Sequence, residues 1–127
     1  MTKINILIAE DDKDIRDLIV LTLGFHGFNV TSAKDGQEAV EIAQGEESFD
    51  IILMDVRMPR MTGYEACRRL KEDENTNTIP IIFLSAKGQE TEIQTGLSAG
   101  ASDYVLKPFS PDLLVDTINK VLAKKEA

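Results

Sequence analysis

Cysteine occurs once in this chain, at Cys67, and histidine once, at His26. A single thiol closes no internal disulfide, which excludes the stapled frameworks of small secreted domains. No apolar run approaches the roughly 18–20 residues of a membrane-spanning helix. Nor does the start resemble a signal peptide, because Met1 to Ile8 is short and runs straight into Glu10, Asp11 and Asp12. Positive charge is scarce: 14 Lys and Arg stand against 22 Asp and Glu, a formal net charge of -8. That balance repels phosphate backbones and anionic membranes. The chain therefore reads as cytoplasmic, with no direct nucleic-acid partner and no membrane contact. Internal linkers, repeats and low-complexity stretches are missing too, apart from a short charged tail, AKKEA. At 127 residues the prior is one domain spanning 1–127, long enough to bury about two thirds of the surface its unfolded form exposes.

What is present is a strict alternation. Apolar runs rich in Ile, Val and Leu occur at 4–9 (INILIA), 28–33 (FNVTSA), 50–54 (DIILM), 80–84 (PIIFL) and 103–106 (DYVL). Between them lie stretches of helical spacing, such as Ile15, Leu18, Ile19, Thr22 and Leu23, or Leu114, Ile118, Val121 and Leu122. Asp35 with Glu38, and Thr62 with Glu65, have capping-box spacing, and Ser110 precedes Pro111 as cap and first helical residue. Gly27 and Gly100 suit helix ends. Five strands alternating with five helices, the middle strands apolar throughout, predict an α/β fold: a doubly wound parallel sheet covered on both faces.

In such a sheet, ligands bind beyond the carboxyl ends of the strands, where strand order reverses. The residues just past the strands are Glu10, Asp11 and Asp12 after the first, Asp55 after the third, Ser85 after the fourth and Lys107 after the fifth. Singly, each has a plain reading: acids cap the next helix, a serine opens a turn, a lysine is solvated. Together they form a site. Glu10, Asp11 and Asp55 within a few ångströms repel one another unless a cation neutralises them. Every donor is an oxygen, with no His or Cys nearby, which suits a hard ion such as Mg2+ and not Zn2+ or copper. Mg2+ keeps waters and completes its octahedron with a substrate phosphate, so an acidic notch beside a lysine suits phosphoryl chemistry. Asp55 is then a nucleophile whose carboxylate attacks phosphorus to give an aspartyl phosphate. The metal and Lys107 neutralise the transferring oxygens, and Ser85 donates a hydrogen bond to one of them.

The strings AEDD (9–12), DVRMPRMTG (55–63), LSA (84–86) and DYVLKPF (103–109) span the chain in order. In them the sequence resembles the receiver domain of bacterial two-component response regulators, of the single-domain, chemotaxis-regulator-like type. The resemblance implies a flavodoxin-like (βα)5 fold with strand order 2-1-3-4-5. It makes Asp55 the phosphoacceptor, Asp11 a direct Mg2+ ligand, Glu10 a supporting acid through water and Arg57 a backbone-carbonyl ligand. Ser85 and Lys107 hold the phosphoryl oxygens, and Lys107–Pro108 is expected to be a cis peptide. Glu10 stands where the family often has Asp, and Ser85 where Thr is frequent; both keep the functional group. Arg57 and Lys87, two residues beyond Asp55 and Ser85, resemble positions that tune hydrolysis of the acyl phosphate, although two solvated cations are the plainer alternative.

The function so implied is a phosphorylation-activated switch rather than an enzyme acting on a free substrate. It accepts a phosphoryl group from a sensor histidine kinase or phosphotransfer protein, and catalyses its own transfer and dephosphorylation. Ser85 and Tyr104 form the switch, which shifts the face of the fourth helix, fifth strand and fifth helix toward a downstream protein target; a strand aromatic packed under helices is the plainer alternative for Tyr104. The first helix has more apolar residues than one buried stripe needs. Ile15 and Leu18, close after the acidic loop, are candidates for docking a helical phosphohistidine domain; an ordinary core helix is the alternative. Arg68, Arg69 and Lys71 complement the dipole late in the third helix. The chain reads as a stand-alone receiver, monomer or weak homodimer, although a receiver cut from a longer regulator has the same appearance.

Two rivals share parts of the pattern. An aspartate-nucleophile phosphohydrolase of haloacid dehalogenase type needs a second acid two residues past the nucleophile, where this chain has Arg57, and usually carries a cap domain, for which 127 residues leave no room. A flavodoxin-like electron carrier needs a Gly, Ser and Thr-rich loop after the first strand, where EDDKD repels a flavin phosphate.

Overall fold

In the computed structural model, residues 3–86, 94–95, 97–107 and 109–126 are described. The strands are β1 (Asn5–Ala9), β2 (Asn29–Ala33), β3 (Ile51–Asp55), β4 (Ile81–Ala86) and β5 (Asp103–Lys107). The helices are α1 (Lys13–Phe25), α2 (Gly36–Ala43), α3 (Gly63–Glu72) and α4 (Pro111–Glu126). This α4 is the fifth helix expected from the sequence. The expected fourth falls partly on residues 87–93 and 96, outside the described residues, with Gln94, Thr95, Leu97 and Ser98 helical. Neighbouring strands all pair in parallel in the order β2-β1-β3-β4-β5, the doubly wound topology that the alternation predicts.

Period-2 alternation divides the core into two layers. Leu7, Ala9, Ile52, Met54, Ile81 and Phe83 point to one face and pack with Ala39, Val40 and Ala43 of α2 and Ala66, Cys67 and Leu70 of α3. Their sequence neighbours Ile6, Ile8, Ile51, Leu53, Ile82 and Leu84 point to the other, against Ile19 and Leu23 of α1 and Leu114, Ile118 and Val121 of α4. Each fully buried Leu or Ile contributes about 1.5–3 kcal/mol. The surplus apolar residues of α1 stay outside: Leu18, Leu21 and Phe25 are exposed.

The helix starts follow the cap chemistry. Asp35 Oδ1 accepts from Glu38 N at 2.8 Å, Thr62 Oγ1 from Glu65 N at 3.3 Å and Ser110 Oγ from Leu113 N at 3.1 Å. Gly27 (φ 90°) and Gly100 (φ 109°) take the left-handed conformation that a helix end favours. Arg69 pairs with Glu65 at 3.4 Å, and Lys71 donates to the carbonyls of Asn77 and Ile79, so these two cations late in α3 serve local structure. Among the described residues no helix is long and apolar enough to cross a membrane.

Candidate functional site

The strand order reverses at β1, which has β2 on one side and β3 on the other. Connections leaving β1 and β3 part there and open a crevice at their carboxyl ends. Glu10 follows β1, tied down by its backbone N–H to Ala33 O at 3.1 Å. Asp55 is the last residue of β3 and pairs in register with Leu84. Ser85 comes next on β4, and Lys107 closes β5 opposite Ala86. The apolar runs stop one or two residues short of these three strand ends, because charged or polar residues break them. The ladder continues through them because their backbones still find partners on the neighbouring strand.

Glu10 (1% exposed) and Asp55 (6% exposed) are buried, while Asp11 is exposed. Glu10, Asp11 and Asp55 each present a carboxylate oxygen within 4.8 Å of the other two. Lys107 Nζ lies 2.8 Å from Glu10 Oε1 and 3.2 Å from Asp55 Oδ1. Burial, then the neighbouring Asp55 side chain, pushes the Glu10 carboxyl above its ordinary value against the pull of Lys107. Asp11 is also raised, by desolvation and then by Glu10. Burial opposes the Lys107 ammonium, but Glu10 and Asp55 outweigh it and hold it above its usual range. Two buried carboxylates and a third at the rim thus share a single pocket with one ammonium, and the donors are all oxygens of the kind a hard divalent cation takes.

Of the three consecutive acids, Asp12 has a different task. It is the N-cap of α1, its Oδ1 accepting from Asp14 N at 2.9 Å and Ile15 N at 3.1 Å. Two further residues shape the pocket. Arg16, half-buried on α1, donates from Nη1 to Glu10 O at 2.9 Å and Asp11 O at 3.4 Å. No pattern in the sequence marks it, since its partners are backbone carbonyls. Gly63, the last residue of the DVRMPRMTG string, packs where a Cβ would collide with the carbonyl of Asp55, and its N–H donates to Val56 O at 2.9 Å. That contact accounts for a glycine at this spacing: the loop from Val56 to Gly63 must fold back onto the strand end that carries Asp55.

Glu10, Asp11, Asp55 and Lys107 therefore come together, and Ser85, 2% exposed, lies at the same sheet edge. Arg57 is exposed on the loop after β3, and Tyr104 is 38% exposed on β5, opposite Phe83. Lys87 and Pro108, with the expected cis peptide and most of the 86–92 loop, lie outside the described residues. Beside the acids, Ile15, Leu18, Lys107 and Phe109 line a groove of about 310 Å³.

Residues 6–119 match the family model described as the response regulator receiver domain. The phosphate regulon transcriptional regulatory protein PhoB of Pseudomonas aeruginosa is 42% identical over 119 residues, covering 94% of this chain and 52% of that protein. The chain spans about half the length of the curated relatives it matches, 47% for a probable transcriptional regulator of Guillardia theta. Its negative charge bears on its own surface and not on those longer proteins. Among solved structures, a response regulator of Chloroflexus aurantiacus superposes with a TM-score of 0.92 at 34% identity, over 96% of this chain and 99% of that one. The receiver domain of the sensor histidine kinase PA1611 of Pseudomonas aeruginosa, with a magnesium ion coordinated in its active-site cleft, has a TM-score of 0.89 at 34% identity, over 96% and 99%. Sequence and fold agree, and the chain belongs to the receiver domains of two-component response regulators.

Proposed function

We propose that Asp55 is the phosphoacceptor, and that the chain takes its phosphoryl group from the phosphohistidine of a sensor histidine kinase or phosphotransfer protein. The observation that carries this reading is the meeting of Glu10, Asp11 and Asp55 within 4.8 Å, with Lys107 Nζ 3.2 Å from Asp55 Oδ1. In the transfer, an Asp55 carboxylate oxygen forms a P–O bond as the P–N bond to the donor imidazole breaks. The electron pair of that bond leaves with the imidazole nitrogen. Lys107 neutralises charge on the phosphoryl oxygens and Ser85 donates a hydrogen bond to one of them. The all-oxygen donor set fits Mg2+: Asp11, Asp55 and the backbone carbonyl of Arg57 would hold it, with Glu10 acting through water. When bound, the ion supplies positive charge that offsets the carboxylates and the phosphoryl oxygens.

The phosphorylated form is read out as a shift between two pre-existing arrangements. Ser85 moves toward the phosphoryl group and Tyr104 turns inward, altering the face of β5, α4 and the helix expected before β5, where a downstream protein binds. The groove beside Lys107, with Leu18 62% exposed at its edge, suits the helical domain of the phosphoryl donor. The exposed Arg57 side chain tunes attack by water on the acyl phosphate. The chain acts in the cytoplasm as a monomer or weak homodimer.

Acetyl phosphate with Mg2+, followed by intact mass, tests the assignment. One phosphoryl group is expected on the wild type and none in EDTA. An unchanged mass under both conditions overturns it.

A further inference from the structure

We infer that Arg16 is a positioning residue for the acids of the pocket, acting through their backbone and not through their carboxylates. Arg16 sits one turn into α1, its own N–H bonded to Asp12 O at 2.9 Å. From there its Nη1 reaches back to Glu10 O at 2.9 Å and Asp11 O at 3.4 Å. Those two carbonyls belong to the peptide planes on either side of the Asp11 Cα. Gripping both planes restricts the two soft backbone dihedrals of Asp11 and so the direction in which its Cα–Cβ bond projects the carboxylate, whose own rotamers remain a choice among a few staggered wells. The grip matters at this residue because Asp11 is exposed, whereas Glu10 is buried and held at its N–H by Ala33 O. Asp12 is fixed from the other side by capping α1.

This inference rests on the Mg2+ reading above. Charge and geometry then give opposite signs on removing Arg16. A guanidinium near a cation site repels the incoming ion, so a role through charge alone predicts tighter Mg2+ binding when it is lost. A role in aiming Asp11 predicts weaker binding, and outer partners that orient metal ligands are typically worth about 10–100-fold in affinity.

The test is calorimetric Mg2+ titration of the whole chain as wild type, Arg16→Met and Arg16→Lys, each also unfolded in urea. Arg16→Met is expected to bind Mg2+ about tenfold or more weakly. Binding equal to or tighter than wild type overturns the positioning role, even where urea shows lost stability, because a merely structural arginine moves the second measurement and not the first. Should Arg16→Met fail to fold, Arg16→Lys decides at unchanged charge: several-fold weaker binding supports the role and wild-type affinity refutes it. A wild type that binds no Mg2+ overturns the Mg2+ reading itself, and this inference with it.

Discussion

Replacing Lys107 by methionine removes the ammonium that lies 2.8 Å from Glu10 Oε1 and 3.2 Å from Asp55 Oδ1. At an effective dielectric of about 20, each contact corresponds to roughly 5–6 kcal/mol of Coulomb attraction. Much of that is offset by the desolvation of an ammonium that is 25% exposed, so the contacts do not add to net stability at face value. What decides the outcome is the state left behind. Glu10 and Asp55 would face each other within 4.8 Å, a repulsion of about 3.5 kcal/mol at the same dielectric. Removing one partner of a buried ion pair costs about 3–5 kcal/mol. We therefore expect Lys107→Met to lose about 3 kcal/mol at pH 7 in EDTA, read by urea denaturation. Acid should relieve it. Glu10 already has a raised pKa, so the folded chain holds a proton that the unfolded chain releases; this contribution is fully present below about 4.5 and lost as pH rises through the folded value. Without Lys107 the Glu10 pKa rises further, and the penalty should shrink between pH 7 and pH 5. Adding Glu10→Gln should restore most of the loss at pH 7. A penalty below about 1 kcal/mol, or one that does not change with pH, would refute the picture of a lysine holding two buried carboxylates together.

The adjacent acids should separate in their effects: Asp11→Asn is expected to abolish the rise in melting temperature on adding Mg2+, whereas Asp12→Ala loses a helix cap worth about 1 kcal/mol and keeps that rise. Identical behaviour of the two variants would contradict the division of labour. Gly63→Ala forces a Cβ onto the Asp55 carbonyl and should cost about 1–3 kcal/mol by thermal unfolding while weakening Mg2+ binding; a wild-type melting temperature would rule out the tight approach. Burial pushes the Cys67 thiol up to about 11 from 9.0, so the native chain should resist thiol reagents at pH 8 until urea unfolds it. Because the folded pKa is the higher one, the associated stability is intact below pH 9 and lost toward pH 11, about 2–3 kcal/mol in all. Rapid modification of the folded chain at pH 8 would contradict that burial.

Much of this architecture is legible from residue order because the middle strands are apolar on both faces. Ile51 to Met54 can be stable only where helices cover the sheet above and below, and both layers are present. The site is legible for a related reason: each polar residue past a strand has an ordinary use alone, but a parallel sheet brings the ends of its strands to one edge, where Glu10, Asp55, Ser85 and Lys107 converge. Finer assignments are not. Three acids in a row at 10–12 look alike until the start of α1 is known, and that start turns Asp12 into a cap and leaves Asp11 at the rim. The surplus apolar residues of α1 were visible, but which of them stay exposed depends on the rotation of the helix, which buries Ile19 and Leu23 and leaves Leu18, Leu21 and Phe25 outside. Nothing in the residue order marks Arg16, because a side chain that binds carbonyls has no partner residue type to pair with.

The most direct test of the central claim identifies the modified residue. After treatment with acetyl phosphate and Mg2+, borohydride reduction converts an aspartyl phosphate to homoserine, which peptide mass spectrometry locates. We expect homoserine at position 55 in the wild type and none anywhere in Asp55→Asn. Homoserine at another acid in the wild type, or an unmodified peptide spanning 51–57 from phosphorylated protein, would contradict the assignment of Asp55 as the acceptor.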